Sequence, residues 1–381
     1  MALSPVTKDS PILVTGANGF VGRNLVFALR HAGYGNLLCF DRGNTAAELA
    51  DFCARAAFVF HLAGVNRPRD AKEFYDGNSD LTHQVCGLLA AAGSRAPIAL
   101  TSSIQVGNGS DYGKSKALAE EQVLAYAAGG GAAYVTRMPG VFGKWCRPNY
   151  NSVVATFCHN AANGLPLEVR DPAYALPLVY IDDVVRCLID AMEGRPHPDA
   201  DHPGFFAVEP VYRTTLGRLA ETISGFAEAR RTLAVADQAD PLTRHLYSTW
   251  LSYLEPEAGF KYPLAMHADA RGSFTEFLRS PERGQVSVNI SHPGIVKGNH
   301  WHDSKNEKFL VVSGRGVIRF RKPDESRVYE YHVSGETLEV VDIPTGYTHN
   351  IENEGDTDLV TVMWANECFD PDHPDTWFLP V

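Results

Sequence analysis

Residues 12–22 read Ile-Leu-Val-Thr-Gly-Ala-Asn-Gly-Phe-Val-Gly, and this stretch decides how the first half of the chain is organised. The strand-like run Ile12–Thr15 passes directly into glycines at 16, 19 and 22, and then into helical spacing over Asn24–His31. A buried strand that turns at once into a helix needs backbone free of Cβ atoms at the turn. The helix start then offers unpaired N–H groups to an anion such as a pyrophosphate. Outward from this point, Leu37–Phe40, Ala57–Ala63, Ile98–Ser102 and Ala133–Arg137 are further strand-like runs, with helical patterns such as Leu81–Ala92 between them. This alternation predicts right-handed βαβ units in an α/β, Rossmann-type, doubly wound parallel sheet.

The texture changes near residue 250. Thr214–Ala229 still carries a helical pattern, but Leu254–Pro263 collects Pro and Gly and reads as a linker. Beyond it, Gln285–Ile290, Phe309–Val312, Gly316–Arg321, Tyr329–Val333, Thr337–Val341 and Leu359–Trp364 are short strand-like runs separated by turns. They predict an all-β domain, a small antiparallel barrel or jelly roll. The expected organisation is a nucleotide domain over residues 1–253, a linker over 254–262 and a β domain over 263–381.

A length of 381 residues suits two cores, at about 100–200 residues per domain. Hydrophobic residues at 45% and charged residues at 21% exclude disorder and fibrous classes. A net charge of −11 argues against nucleic acid as a partner, since a polyphosphate needs a basic footprint. No apolar run reaches the ~18 residues of a membrane helix, and Met1–Ser10 carries no apolar core of a secretion signal. Seven scattered cysteines without C-x-x-C spacing read as reduced thiols of a cytoplasmic protein.

Asp41 ends the second strand, 19 residues after Gly22, where a ribose-reading acid belongs, and Arg42 follows it. The acid favours a free ribose hydroxyl and the arginine a phosphate, so both nicotinamide cofactors stay open on these residues. Tyr112 and Lys116 share a helix face at i, i+4, and Ser103 ends a strand nine residues before Tyr112. A lysine beside the phenol is expected to lower its pKa and bring proton transfer toward neutral pH.

These features, with His61-Leu62-Ala63-Gly64 and Arg137–Gly143, resemble the extended short-chain dehydrogenase/reductase superfamily over residues 11–250. The resemblance implies that Tyr112 is the acid/base, Lys116 its orienting partner and Ser103 the group that polarises the carbonyl. It places Gly16, Asn18, Gly19, Phe20, Val21, Gly22, Asp41, Arg42, Leu62, Ala63, Gly64 and Pro139 on the dinucleotide, together with Tyr112 and Lys116. Asn66, Arg67, Lys144, Asn149 and Asn151 are the implied substrate contacts.

A second constellation lies in the β domain. Gly294, His300, His302, Glu307 and Gly314 follow one another at G-x5-H-x-H-x4-E-x6-G spacing, and Pro344-Thr345-Gly346-Tyr347-Thr348-His349 with Asn353 supplies a third imidazole. Three histidines and a carboxylate form a borderline donor set that suits Zn, Ni, Fe or Mn, zinc being the expected metal. Both segments resemble the cupin motifs, over residues 265–381. Asp269–Phe274 and Gly294–His300 further resemble sugar-nucleotide 3,5-epimerases, which normally work without metal and lack the second His and the Glu.

The pairing of such a reductase with a metal cupin resembles the bifunctional capsular-polysaccharide enzymes of the UDP-N-acetyl-L-fucosamine pathway. It implies cupin-catalysed C3 epimerisation of a UDP-linked 4-keto-6-deoxy sugar, then reduction at C4 with NADPH, NADH being the other possibility. Tyr347 and Lys308 are the side-chain candidates for the epimerase base. Cupin edge strands often pair, so a bacterial cytoplasmic homodimer is expected. A reductase whose cupin only dimerises or senses metal is the other reading. His267 and His373 read as isolated surface residues, and Asp370–Asp375 as a solvated tail.

Overall fold

The computed structural model describes residues 5–280 and 282–381, so part of the Met1–Ser10 stretch read above lies outside it. The chain forms two compact units. One runs to Ile223 and takes back Pro241–Leu254; the other comprises Ser224–Asp240 and Glu255–Val381.

In the first unit the strands β1 (Ile12–Thr15), β2 (Leu37–Phe40), β3 (Phe58–His61), β4 (Ile98–Ser103) and β5 (Ala133–Met138) form a parallel sheet in the order β2-β1-β3-β4-β5. Between them run α1 (Phe20–His31), α2 (Ala46–Arg55), α3 (Lys72–Phe74), a π-helical turn at Tyr75–Asp80, α4 (Leu81–Ala91) and α5 (Asp111–Ala128). Successive strand residues face opposite sides. Ile12 and Val14 pack with Leu25, Leu29 and Leu188 on one face, while Leu13 packs with Leu49, Val85 and Val123 on the other. A sheet buried on both faces reads as continuous apolar runs, as these strands do. The unit is completed by β6 (Gly140–Phe142), α6 (Val153–Ala162), β7 (Ala175–Tyr180), α7 (Ile181–Met192) and β8 (Tyr212–Thr215), then by α8 (Leu216–Thr232), which crosses the division at Ile223, and by α9 (Pro241–Leu251).

The second unit is a two-sheet antiparallel roll. Its strands are β9 (Met266–Asp269), β10 (Gly272–Ser280), β11 (Gly284–Ser291), β12 (Val296–Trp301), β13 (Glu307–Ser313), β14 (Arg315–Arg321), β15 (Val328–Ser334), β16 (Val340–Ile343), β17 (Thr348–Asn353), β18 (Leu359–Ala365) and β19 (Trp377–Phe378). The sheets run β16-β13-β18-β11-β10-β9 and β15-β14-β17-β12-β19. Phe309, Val311, Ile318, Phe320 and Ile351 pack between them. The α/β and all-β classes expected from the sequence are both present.

One boundary needs correction. Residues 224–240, assigned above to the first domain, group with the second unit. Backbone pairing explains it: Arg279 N–H donates to Leu233 O at 2.7 Å, and Val235 N–H donates to Arg279 O at 2.8 Å, beside β10. Among the described residues no helix is long and apolar enough to cross a membrane.

Candidate active sites

The β1–α1 turn is built on absent side chains. Gly16 sits at φ +68°, and a Cβ there would lie 2.8 Å from the backbone of Ala63. A Cβ on Gly22 would lie 2.1 Å from Gly16 O and 2.8 Å from Ala17 Cα. These contacts bring α1 close to β1 and leave its first turn without a side-chain cap or an acidic residue. A dinucleotide pyrophosphate fits this cradle. The Asp41 carboxylate accepts from Asn18 N–H and Arg42 N–H, each at 2.8 Å, which holds the acid against the glycine turn.

His61, at the end of β3, is buried and neutral. Burial, aided by the Lys116 charge, pushes its pKa down to about 3. The Thr82 hydroxyl donates to Asn78 O at 2.5 Å, so it accepts from His61 Nε2 at 2.9 Å. His61 Nδ1 then accepts from Thr15 Oγ1 at 2.8 Å. Asn78, in the π-helical turn, ties the loop after β3 to α5. Its amide brackets Val65 N–H and C=O at 2.9 Å and donates to Ser115 Oγ at 3.0 Å. Ser115 Oγ in turn donates to Tyr112 O at 2.9 Å. Sequence reasoning missed Asn78 because a π turn leaves no mark in apolar periodicity.

Tyr112 enters at the first turn of α5, which Ser110 caps by accepting from Gly113 N–H at 3.0 Å. Only glycine fits at 113, because a Cβ would lie 2.5 Å from Gln105 O. The Ser103 hydroxyl stands near enough to the phenol to lower its pKa. Lys116 is buried and donates to Thr101 O at 2.8 Å; burial lowers its pKa to about 8 against the pull of Glu120. The expected lowering of the Tyr112 pKa is corrected: burial raises it, and Ser103 opposes that only in part.

A cavity of about 500 Å³ opens beside Tyr112, lined by Asn66, Phe74, Gln105, Ser110, Asp111 and Asn151. Two of the five predicted substrate contacts, Asn66 and Asn151, are therefore at the phenol. The other three are outside this lining. Arg67 is exposed, Lys144 pairs with Asp182, and Asn149 shapes a turn at φ +54° with its N–H on Thr156 Oγ1.

In the second unit His300 on β12, His302 just beyond it, Glu307 at the start of β13 and His349 on β17 converge, with candidate donor atoms all within 4.8 Å of one another. Glu307 Oε2 lies 3.5 Å from both His302 Nε2 and His349 Nε2. These three atoms are buried without a hydrogen-bond partner. Unpaired buried polar atoms are costly, so a converging set of them fits a divalent cation. Burial would raise the Glu307 carboxyl, but the two imidazoles overcome this and hold it below the usual carboxylate range. Burial and the neighbouring imidazoles push His300 down to about 4, which leaves it a neutral donor.

His300, Glu307 and His349 open onto a cavity of about 790 Å³, and His302 stands behind them, outside its lining. Neither proposed epimerase base lines it. Lys308 alternates with the inward Glu307 and Phe309, so it points outward and pairs with Asp342. Tyr347 packs on Phe320. Lys297 does line the cavity. Ordinary alternation would set it opposite His300, but Asn299 at φ +59° makes a bulge, and Lys297 and His300 pair with Ile351 and His349 on one face of β17. A Gly-Asn pair inside a strand is the signal for such a bulge. His267, His373 and the acidic tail also line the cavity, so the tail is not merely solvated.

Residues 12–202 match the NAD dependent epimerase/dehydratase family, and residues 267–377 match the polysaccharide biosynthesis C-terminal domain. The chain is 44% identical over 371 residues to the UDP-2-acetamido-2,6-beta-L-arabino-hexul-4-ose reductase of Pseudomonas aeruginosa, covering 97% of this chain and 98% of that one. It matches the crystal structure of the capsular polysaccharide assembling protein CapF of Staphylococcus aureus with TM-score 0.91 and 48% identity, over 97% of this chain and 100% of that one. The chain belongs to the CapF family. The spore coat polysaccharide biosynthesis protein SpsL of Bacillus subtilis is 27% identical over 127 residues, 31% of this chain and 84% of that protein. This chain therefore carries a unit of the NAD dependent epimerase/dehydratase family followed by a polysaccharide biosynthesis C-terminal β unit.

Proposed function

We propose that the chain is a bifunctional UDP-sugar enzyme of capsule precursor synthesis. The β unit inverts C3 of a UDP-2-acetamido-2,6-dideoxy-4-hexulose. The first unit then reduces its C4 ketone to UDP-2-acetamido-2,6-dideoxy-L-talose. The observation that carries this reading is the cavity at Tyr112, with buried Lys116 one helical turn on and the glycine turn packed on Ala63, in a chain similar over 97% of its length to a UDP-sugar hexul-4-ose reductase.

The order follows from acidity. A proton on C3 is labile only while C4 is a ketone, so epimerisation precedes reduction. Bound at the β1–α1 turn, a nicotinamide cofactor supplies hydride. Tyr112 gives its phenolic proton to the C4 oxygen, Ser103 donates a hydrogen bond to the same oxygen, and Lys116 keeps a positive charge beside them. NADPH is the proposed cofactor. Asp41 is held by two backbone N–H groups, whereas the Arg42 guanidinium makes no hydrogen bond or ion pair among the described residues and is free for a 2′-phosphate.

His300, His302, Glu307 and His349 would hold the metal, for which we propose zinc, and it would supply Lewis acidity in the epimerase cavity. The chain's own part there is to enclose the sugar and move its C3 proton. With Lys308 and Tyr347 outside the lining, Lys297 is the titratable side chain that shares the ligand-bearing face of β12. We place the enzyme in the bacterial cytoplasm as a homodimer, a state that light scattering tests.

Incubating the protein with the 4-keto substrate in deuterated water, with and without NADPH, tests the whole reading. Deuterium should enter C3 without cofactor, and the alcohol should form only with it. Chelation should stop the exchange. Reduction without any C3 exchange would instead support a reductase carrying a non-catalytic metal module.

A further inference from the structure

The C-terminal residues lie far in sequence from the metal-type cluster and were unremarkable as sequence, yet they fold directly behind it. His302 Nδ1 faces the backbone carbonyl of Asp375 at hydrogen-bond distance. A carbonyl can only accept, so Nδ1 carries the proton and Nε2 presents its lone pair to the cluster. The Asp375 carboxylate closes the turn that joins His302 to Glu307. It accepts from Asp303 N–H at 2.7 Å and from Ser304 N–H and Lys305 N–H, each at 2.8 Å. The segment is anchored further along. Trp377 Nε1 donates to Asp303 Oδ2 at 3.1 Å, and β19 pairs with β12 at Trp301 and His300. Leu379 N–H donates to Asn299 O at 2.9 Å, and the hydroxyl of Thr348, the residue before His349, donates to Leu379 O.

We infer that the segment Asp375–Val381 is a working part of the metal site: the Asp375 carbonyl sets the tautomer and aim of His302, and its carboxylate clamps the turn between two ligands. The inference rests on the reading of the four side chains as a metal site. It assigns Asp375 as a positioning residue, since a ligand histidine is oriented by whatever holds its outer nitrogen. Glu307 and His302 are then brought together by a residue some seventy positions away, in place of the short loop between them.

The test uses the full chain loaded with zinc, and reads metal release into excess chelator. Asp375→Ala should release zinc about 10–100-fold faster than wild type. Asp375→Asn keeps one acceptor oxygen in the same shape, so it should fall between them; it also serves if the alanine variant does not fold. Cobalt loading supplies a second readout: the visible bands of Asp375→Ala should shift as the turn between His302 and Glu307 loses its clamp. Wild-type protein that retains no divalent ion overturns the metal site and this inference together. Wild-type protein that retains zinc, with both variants releasing it at the wild-type rate and giving wild-type cobalt spectra, overturns the role of Asp375 alone.

Discussion

Replacing Lys116 with methionine should make the protein more stable and the reductase nearly inactive. The ammonium is buried, and its pKa falls from 10.5 to about 8. At 1.36 kcal/mol per unit, keeping it charged near neutrality costs about 3 kcal/mol. Methionine fills similar space without charge, but leaves Thr101 O without the donor it has at 2.8 Å, a loss of about 1 kcal/mol. The net expectation is a gain of about 2 kcal/mol at pH 7. The sign of the pH dependence follows from linkage. Between about pH 8 and 10.5 the unfolded chain holds the lysine proton and the folded chain has lost it, so wild-type stability rises with pH over that window. The variant has no such term, and by pH 9.5 its advantage should shrink by about 2 kcal/mol. Urea unfolding of the cofactor-free full chain at the two pH values measures the difference, and NADPH oxidation should fall by about 100-fold or more. A variant less stable than wild type at pH 7, or an advantage equal at both pH values, would refute the reasoning.

Three other substitutions separate the sites. Tyr112→Phe should lower NADPH oxidation about 10²–10⁴-fold while cofactor-free deuterium exchange at C3 continues at the wild-type rate, as followed by proton NMR. Gly22→Ala places a methyl 2.1 Å from Gly16 O, where only backbone can yield, so fluorescence titration should show NADPH binding weakened at least about tenfold while zinc content is unchanged. Arg42→Ala should reduce the preference for NADPH over NADH by about tenfold or more in kcat/KM, because a charge-assisted hydrogen bond to phosphate is worth about 1.5–3 kcal/mol; an unchanged ratio would return the choice of cofactor to Asp41.

Much of this protein was legible because the deciding forces are local. Glycine spacing at 16, 19 and 22 encodes a turn that no Cβ can enter, and Tyr112 with Lys116 encodes a helix face. The H-x-H spacing encodes two imidazoles within one short stretch. Even the outward direction of Lys308 was available from strand alternation, since its neighbour Glu307 had already been given to the metal-type site. The pKa of Tyr112 was not legible, because it depends on how deeply the phenol is buried by segments distant in sequence.

The sequence by itself determined the two fold classes and the glycine turn, and it supplied Ser103, Tyr112 and Lys116 and the four converging His and Glu residues as candidates. Tertiary structure alone decided which side of β12 Lys297 occupies, how a π-helical turn brings Asn78 to the helix of Tyr112, and that Asp375 stands behind His302. The physical reason is range. Sterics and periodicity act over a few residues and are written in the order of side chains. A bulge, a buried charge or a carbonyl against a ligand's far nitrogen depends on a partner strand or segment that the local chain does not contain.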